Sequence, residues 1–302
     1  MIYGNPAPSA DLVIVYGNCQ VPVLARLLAA AFPNYGFVCA LNHAPLGQEP
    51  ETPSADHLRR CRLYLEQYDS QPDLPISGTV PDGTAYGLPL RRFLRLGLPA
   101  TCPTLVFPSF VMTCLWPFAS LGDPRNTPEP GYVWGRYPHG NRLALEVLAR
   151  GLSGPAALDA YHRLSAERRP DPASALLKAR AKLVRRDDRC DIKIADYVWA
   201  NFQDCAIFQA YAHVRAEAVG ELVRRLATAM EGQLSCTSDS AALADALADT
   251  PDMTTVEEPI EPAVAAELGL RFYSPGMRFR WYTQSWTFDD YMSRYLSFDC
   301  SW

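Results

Sequence analysis

Cys19 stands in Gly17-Asn18-Cys19-Gln20, between the apolar run Leu12 to Tyr16 and a helical pattern that begins at once. A cysteine thiol can take an acyl group as a nucleophile. The two carboxamides beside it, Asn18 and Gln20, could donate to a developing oxyanion. Gly17 permits a sharp turn. Pro22 suits a first helical turn, where its missing N–H would be unpaired anyway. Cys19 is therefore expected at the carboxyl end of a strand and the amino end of a helix. Open α/β sheets bind ligands at that place, and a helix amino end favours anions and lowers a thiol's pKa. The nucleophile of α/β hydrolases sits in the same context, but the GxSxG pattern is absent. The blander reading is a buried thiol in a tight turn, with Asn18 and Gln20 shaping the turn and capping the helix.

A nucleophile or an acceptor hydroxyl needs a base, and the chain has five histidines. His57 and His162 lie in charged helical stretches and read as surface residues. His43 follows the second strand, His139 precedes a helix, and His213 is placed near the start of a long helix. These three are the candidate bases, although dyads assemble in space and not in sequence. Gln67 and Ser109 end two further strands and could point into the same crevice, with Pro108 restricting the backbone before Ser109. Lys178, Arg180, Lys182, Arg185, Arg186 and Arg189, with Arg168 and Arg169 before them, form the one strong cationic run. Such a run is a solvated helix face or a site for phosphates. Neither a Walker A loop nor GxGxxG occurs, which removes the main support for kinase and dehydrogenase readings.

Alternation of strand and helix must position these groups. Strands are predicted at 11–16, 37–41, 63–67 and 104–110, and helices at 21–32 and 56–60. Near-continuous apolar strands with helices between them indicate a parallel sheet covered on both faces. From about residue 140 the pattern is helical: 141–151, 155–167, 172–186, 191–202 and 206–230, with a short helix within 232–252. Residues 277–282 alternate like a strand, and an aromatic tail runs from Trp286 to Trp302. The fold class is thus α/β, a Rossmann-like parallel sheet followed by a largely helical half. Residues 1–140 form the core and 141–302 the helical region, across a soft boundary that also allows one single domain.

Composition narrows the function. The chain has 302 residues, a formal net charge of −5 and 48% hydrophobic residues, so it can bury a core and does not read as a nucleic-acid binder. Its nine cysteines include no CxxC pair, which argues against a zinc cage; no metal is expected. Cys39, Cys61 and Cys102 lie in apolar runs as small hydrophobes. Scattered thiols fit a reducing cytosol. Neither a signal peptide nor a membrane span is predicted.

At Gly17-Asn18-Cys19-Gln20 the chain resembles the WcbI family of bacterial polysaccharide-biosynthesis proteins, in which a first strand ends in GNCQ. The resemblance extends to the strand-end Gln67, the segment Phe107 to Phe110, and a later Asn-His-Pro-like helix start that here reads Ala212-His213-Val214. It implies a cytoplasmic acetyltransferase of capsule or exopolysaccharide synthesis, moving an acetyl group from acetyl-coenzyme A to a hydroxyl of a sugar, nucleotide-sugar or polysaccharide acceptor. On that reading Cys19, Gln20, Ser109, His43 and His213 are the catalytic candidates. Gly17, Asn18, Gln67, His139, Arg180 and Arg185 are the candidates for holding coenzyme A. Two alternatives stand beside it. One is a thiol- or serine-dependent carbohydrate esterase or hydrolase. The other is a non-catalytic nucleotide- or glycan-binding component whose Trp281, Trp286 and Tyr291 stack on sugars. Homo-oligomerisation is left open.

Overall fold

The structure, a computed structural model, describes residues 1–42, 51–68, 78–79, 85–86, 90–120, 122–132 and 134–299. The first elements are β1 (Ile2–Gly4), β2 (Leu12–Gly17), α1 (Val21–Ala31), β3 (Gly36–Leu41), α2 (Ala55–Arg59) and β4 (Cys61–Tyr68). A two-residue ladder, β5 (Gly78–Thr79) and β6 (Ala85–Tyr86), precedes α3 (Leu90–Gly97) and β7 (Thr104–Pro108). Then come β8 (Ala119–Ser120), β9 (Gly140–Asn141), α4 (Arg142–Ala149), α5 (Gly154–Arg168), α6 (Pro172–Asp187) and α7 (Ala195–Asn201). The chain continues with β10 (Phe208–Ala210), β11 (His213–Val214), α8 (Ala216–Leu234) and α9 (Ser240–Ala248). It closes with α10 (Pro262–Glu267), β12 (Phe279–Trp281), β13 (Gln284–Trp286) and α11 (Phe288–Ser297).

Contacts divide the chain into two compact units. One comprises residues 1–109, 184–196 and 216–253; the other comprises 110–183, 197–215 and 254–302.

The first unit is built on a five-stranded sheet of order β1-β3-β2-β4-β7. The β3-β2-β4-β7 strands are parallel, and β1 adds to the β3 edge in the antiparallel sense. In register, Ile14 lies between Val38 and Tyr64, and Val15 lies between Cys39 and Leu65. Every residue of β2 is buried, as expected for a central strand with helices on both faces. On one face Leu12, Ile14, Tyr16 and Tyr64 pack with Leu58 of α2 and Leu90 and Leu94 of α3. Helix α1 covers the sheet with Leu24, Leu27, Leu28 and Ala31 at helical spacing, and α8 and α9 pack against α1.

The order of these strands decides where a ligand site can lie. From β2 the chain crosses to β3 on one side, then returns past β2 to β4 on the other. The carboxyl ends of β2 and β4 therefore flank a topological switch point, the crevice where flavodoxin-like sheets bind ligands.

The second unit buries a cluster of Tyr137, Tyr161, Trp281, Trp286, Tyr291 and Tyr295 with the apolar faces of α4, α5 and α11. Across the β12–β13 hairpin Trp281 pairs with Gln284 and Trp286 with Phe279, and the two indoles stack diagonally at 4.3 Å. The aromatic tail is thus mostly a helix, α11, opened by a Thr287–Asp290 capping box.

Several expected boundaries move. The predicted helix 206–230 starts only at Ala216, because residues 208–214 form the β10–β11 hairpin. His213 accordingly lies in a strand and not near a helix start. The predicted helix 191–202 begins at Ala195, where the buried carboxylate of Asp187 accepts from the N–H groups of Ile194 and Ala195. An acceptor eight residues upstream thus serves as the helix cap, which no local pattern reports. The predicted strand 277–282 contracts to Phe279–Trp281.

Leu65 is fully buried in β4, in register with Val15 and Leu105. Leu65→Ala is expected to lose about 2–5 kcal/mol of stability, read as a lower urea midpoint at unchanged m-value.

Candidate active site

Strand β2 delivers Gly17 to the carboxyl edge of the sheet, and α1 starts at Val21 with Gln20 as its N-cap. The four residues Gly17 to Gln20 must therefore turn within a short span, and hydrogen bonds to their carboxamides and backbone hold them. The Asn18 N–H donates to Oε1 of Gln67 at 2.8 Å. Nε2 of Gln67 donates to Oε1 of Gln20 at 2.8 Å. The Gln20 N–H donates to Oδ1 of Asn18 at 3.0 Å. Gln67 ends β4 and is fully buried, so one carboxamide clamps both arms of the turn from the neighbouring strand. Gly17 is required by close approach: a Cβ there would stand 2.5 Å from Cβ of Gln67. On the other side, the Asn42 N–H donates to the Gly17 carbonyl at 2.8 Å.

Cys19 is a free thiol, half-exposed between the buried Asn18 and Gln20. The clamp also narrows the chemistry of its neighbours. Backbone N–H groups of Asn18 and Gln20 are used inside the turn, so they are not oxyanion donors. Oδ1 of Asn18 and Oε1 of Gln20 both accept within the clamp, so the N–H groups of these side chains are those on Asn18 Nδ2 and Gln20 Nε2.

Ser109 follows β7 at the same edge of the sheet and is buried. Its hydroxyl and its carbonyl both accept from Nη1 of Arg186. Ser109 is thereby engaged as an acceptor, and Arg186 is an internal anchor, not the solvated cation that the basic run suggested. Sequence reasoning missed this pair because burial at one position of a basic helix leaves no local mark. Lys178, Arg180, Arg185 and Arg189 are exposed; Arg180 lies over the Trp199 ring at 5.3 Å.

Cys19, Gln20, Gln67, Ser109 and Arg185 belong to the first unit, and His139, His213 and Arg180 to the second. His43 lies outside the described residues. His57 closes the capping box of α2 with Ser54, and His162 pairs with Asp289 at 3.0 Å, so both serve as surface residues. His139 and His213 meet edge-to-face at 5.7 Å. Burial first, and then the neighbouring His213, push the pKa of His139 down to about 3. It is therefore neutral near pH 7. Its Nε2 lies 3.3 Å from the Val256 carbonyl, which can only accept, so the proton sits on Nε2. Trp281, Trp286 and Tyr291 are core residues, 1%, 5% and 3% exposed, so the expectation that they stack on sugars is corrected.

Beside His139 lies a cavity of about 30 Å³ in the second unit, lined also by Trp116, Tyr161, Glu258 and Tyr291. Oε2 of Glu258 and the Tyr291 hydroxyl are buried without hydrogen-bond partners. Burial pushes the Glu258 carboxyl up to about 8. Among the described residues, no cluster of three or more His, Cys, Asp or Glu side chains could hold a metal ion. No described helix is long and apolar enough to cross a membrane.

Comparison with known proteins gives these features a context. A family profile described as "Polysaccharide biosynthesis enzyme WcbI" matches residues 12–233. The chain belongs to the WcbI family. The matched span runs from β2 through α8 and so includes the Gly17–Gln20 turn and Gln67. A solved structure of WcbI, a polysaccharide biosynthesis enzyme, shares the fold. The two are 15% identical with a TM-score of 0.58, over 97% of this chain and 91% of that one. It is described as the native protein without a disulfide bond between coenzyme A and one of its cysteines. No curated protein sequence matches the chain.

Two tests follow from this geometry. Gln67→Leu keeps the bulk but removes both hydrogen bonds of the clamp, at about 1–3 kcal/mol each. The variant is expected to melt lower than wild type and to alkylate faster at Cys19, read by thermal unfolding and timed iodoacetamide labelling. The second test uses pH. Glu258, raised from 4.5 to about 8, keeps a proton that the unfolded chain releases, so stability falls as pH rises through that window. His139, lowered from 6.5 to about 3, acts oppositely: stability falls as pH drops from 6.5 toward 3. The two slopes oppose each other between pH 4.5 and 6.5, and Glu258 acts alone from 6.5 to 8. Wild type is expected to lose roughly 2 kcal/mol over that upper window, and Glu258→Gln to be flat there.

Proposed function

We propose that this enzyme transfers an acetyl group from acetyl-coenzyme A to a hydroxyl of a sugar acceptor, with the thioester bound at the Gly17–Gln20 turn. One observation carries the reading: a half-exposed thiol is held at the sheet's switch point by a buried carboxamide clamp. Membership of a polysaccharide biosynthesis family supports a sugar as acceptor. The description of the related WcbI structure, which names coenzyme A and a cysteine without a disulfide bond between them, supports the donor.

The residues present suit that donor. A thioester carbonyl placed at Cys19 would meet the amino end of α1, where the helix dipole favours negative charge. Asn18 Nδ2 and Gln20 Nε2 are the side-chain donors for the oxyanion. Gln67 acts as a positioning residue. Arg185, exposed in the same unit, is a candidate for the phosphates of coenzyme A.

The chemistry then has one of two courses. The acceptor oxygen attacks the thioester carbonyl directly, or Cys19 Sγ attacks first and passes the acetyl group on. In both, a tetrahedral oxyanion collapses with loss of the coenzyme A thiolate, which takes up a proton. The acceptor hydroxyl gives up its proton to a base in either course.

Calorimetry with coenzyme A and acetyl-coenzyme A, followed by a transfer assay over a panel of nucleotide sugars, tests the proposal. Saturable binding is expected, with a rise in melting temperature by mass action. Asn18→Ala is expected to cut the transfer rate on the order of 100-fold. Cys19→Ala distinguishes the courses: full activity sinks the acetyl-cysteine route, and trapped acetyl-enzyme in the wild type establishes it. Turnover with water alone and no response to any coenzyme A species would instead identify a hydrolase.

A further inference from the structure

Cys61 and Cys102 lie far along β4 from Gln67, and the site described above uses neither. Cys61 is the first residue of β4 and is buried, in register with Leu12 of β2. Cys102 ends the turn before β7; its N–H donates to the Pro99 carbonyl at 2.9 Å, and it is half-exposed. The next residue, Pro103, accepts from the Tyr64 N–H at 3.0 Å, which ties this turn to β4. The two sulfurs are 3.7 Å apart.

We propose that Cys61 and Cys102 are an oxidation site, a dithiol that peroxide converts into an intramolecular disulfide. Three observations support it. The sulfurs need to close by only about 1.7 Å to reach bonding distance, and Cys102 sits at the end of a turn whose next residue is tied to β4. Only one of the pair is open to solvent, which orders the reaction. The contact with Cys61, against burial and with the charge of Arg62, lowers the pKa of Cys102, while that contact and burial raise Cys61, whose Sγ also donates to the Leu63 carbonyl at 3.2 Å. An accessible sulfur with thiolate character beside a resolving thiol is the arrangement of peroxide-sensitive cysteines.

The step balances as follows. The Cys102 thiolate attacks one oxygen of hydrogen peroxide, the O–O bond breaks, and the leaving hydroxide becomes water on protonation. Cys102 is left as a sulfenic acid. Sγ of Cys61 then loses its proton and displaces that hydroxyl as a second water. Two thiols lose two electrons in all, and the peroxide is reduced. The bond would staple the start of β4 to the approach to β7 and close the chain between residues 61 and 102.

The test treats the full-length reduced protein with hydrogen peroxide, blocks the remaining thiols, and maps peptides without reductant. A peptide pair joined through Cys61 and Cys102 is expected, with loss of the mass of two hydrogens. The melting temperature should rise by about 5 °C or more and return on adding dithiothreitol. Cys61→Ser should leave a sulfenic acid at Cys102 that dimedone captures; Cys102→Ser should leave Cys61 reduced. The proposal is overturned if both thiols remain alkylatable at a peroxide dose that oxidises the exposed Cys205. It is equally overturned if Cys102 pairs with another cysteine, or goes to sulfinic acid with Cys61 still free. Mapping the wild type needs no variant to fold.

Discussion

The carboxamide of Gln67 is the contact on which the site depends. It accepts from the Asn18 N–H and donates to Oε1 of Gln20, so a side chain at the end of β4 sets the shape of a turn at the end of β2. Both groups are buried, and a stranded polar group there would cost more than the bond itself contributes. The turn therefore has little freedom apart from the one Gln67 permits. Gly17 belongs to the same constraint: it leaves room for the Gln67 side chain, and a larger residue would push the clamp away.

That constraint depends in turn on the order of the strands. Gln67 reaches the turn because β4 pairs directly with β2, with Tyr16 beside Glu66. The parallel sheet brings the ends of β2 and β4 to one edge, and the crossing of the chain past β2 opens a crevice there. Apolar helices on both faces keep β2 from moving. A thiol needing controlled access is thus held by hydrogen bonds inside a rigid layer, with its own sulfur half-exposed.

The second unit organises its polar groups differently. Its aromatic core surrounds Glu258 and His139, and burial moves their pKa values in opposite directions, each away from its charged form. A protonated carboxyl and a neutral imidazole thus share a small cavity. His139 stands out in the sequence as a candidate base, but Glu258 does not. Glu258 stands in the acidic stretch Glu257-Glu258-Pro259-Ile260-Glu261; packing, with Trp116 and Tyr291 beside it, makes it a buried acid.

Patterns of short range were legible from residue types. The apolar run before Gly17, the glycine, and Pro22 after it give a strand, a turn and a helix, and β2, α1, β3 and β7 lie close to where periodicity puts them. The turn's GNCQ residues, placed after a first strand, carry much of the family likeness. Tertiary structure decided the partners. Only the folded chain shows that Gln67 clamps the turn, that Ser109 is held by a buried Arg186, and that Trp281 and Trp286 stack in a core. Only the β10–β11 hairpin takes His213 out of the expected helix. The physical reason is the range of each force. Backbone preference and periodicity act over a few residues and are written locally, whereas burial, hydrogen-bond pairing and the pKa shifts they cause depend on residues dozens to more than a hundred positions apart.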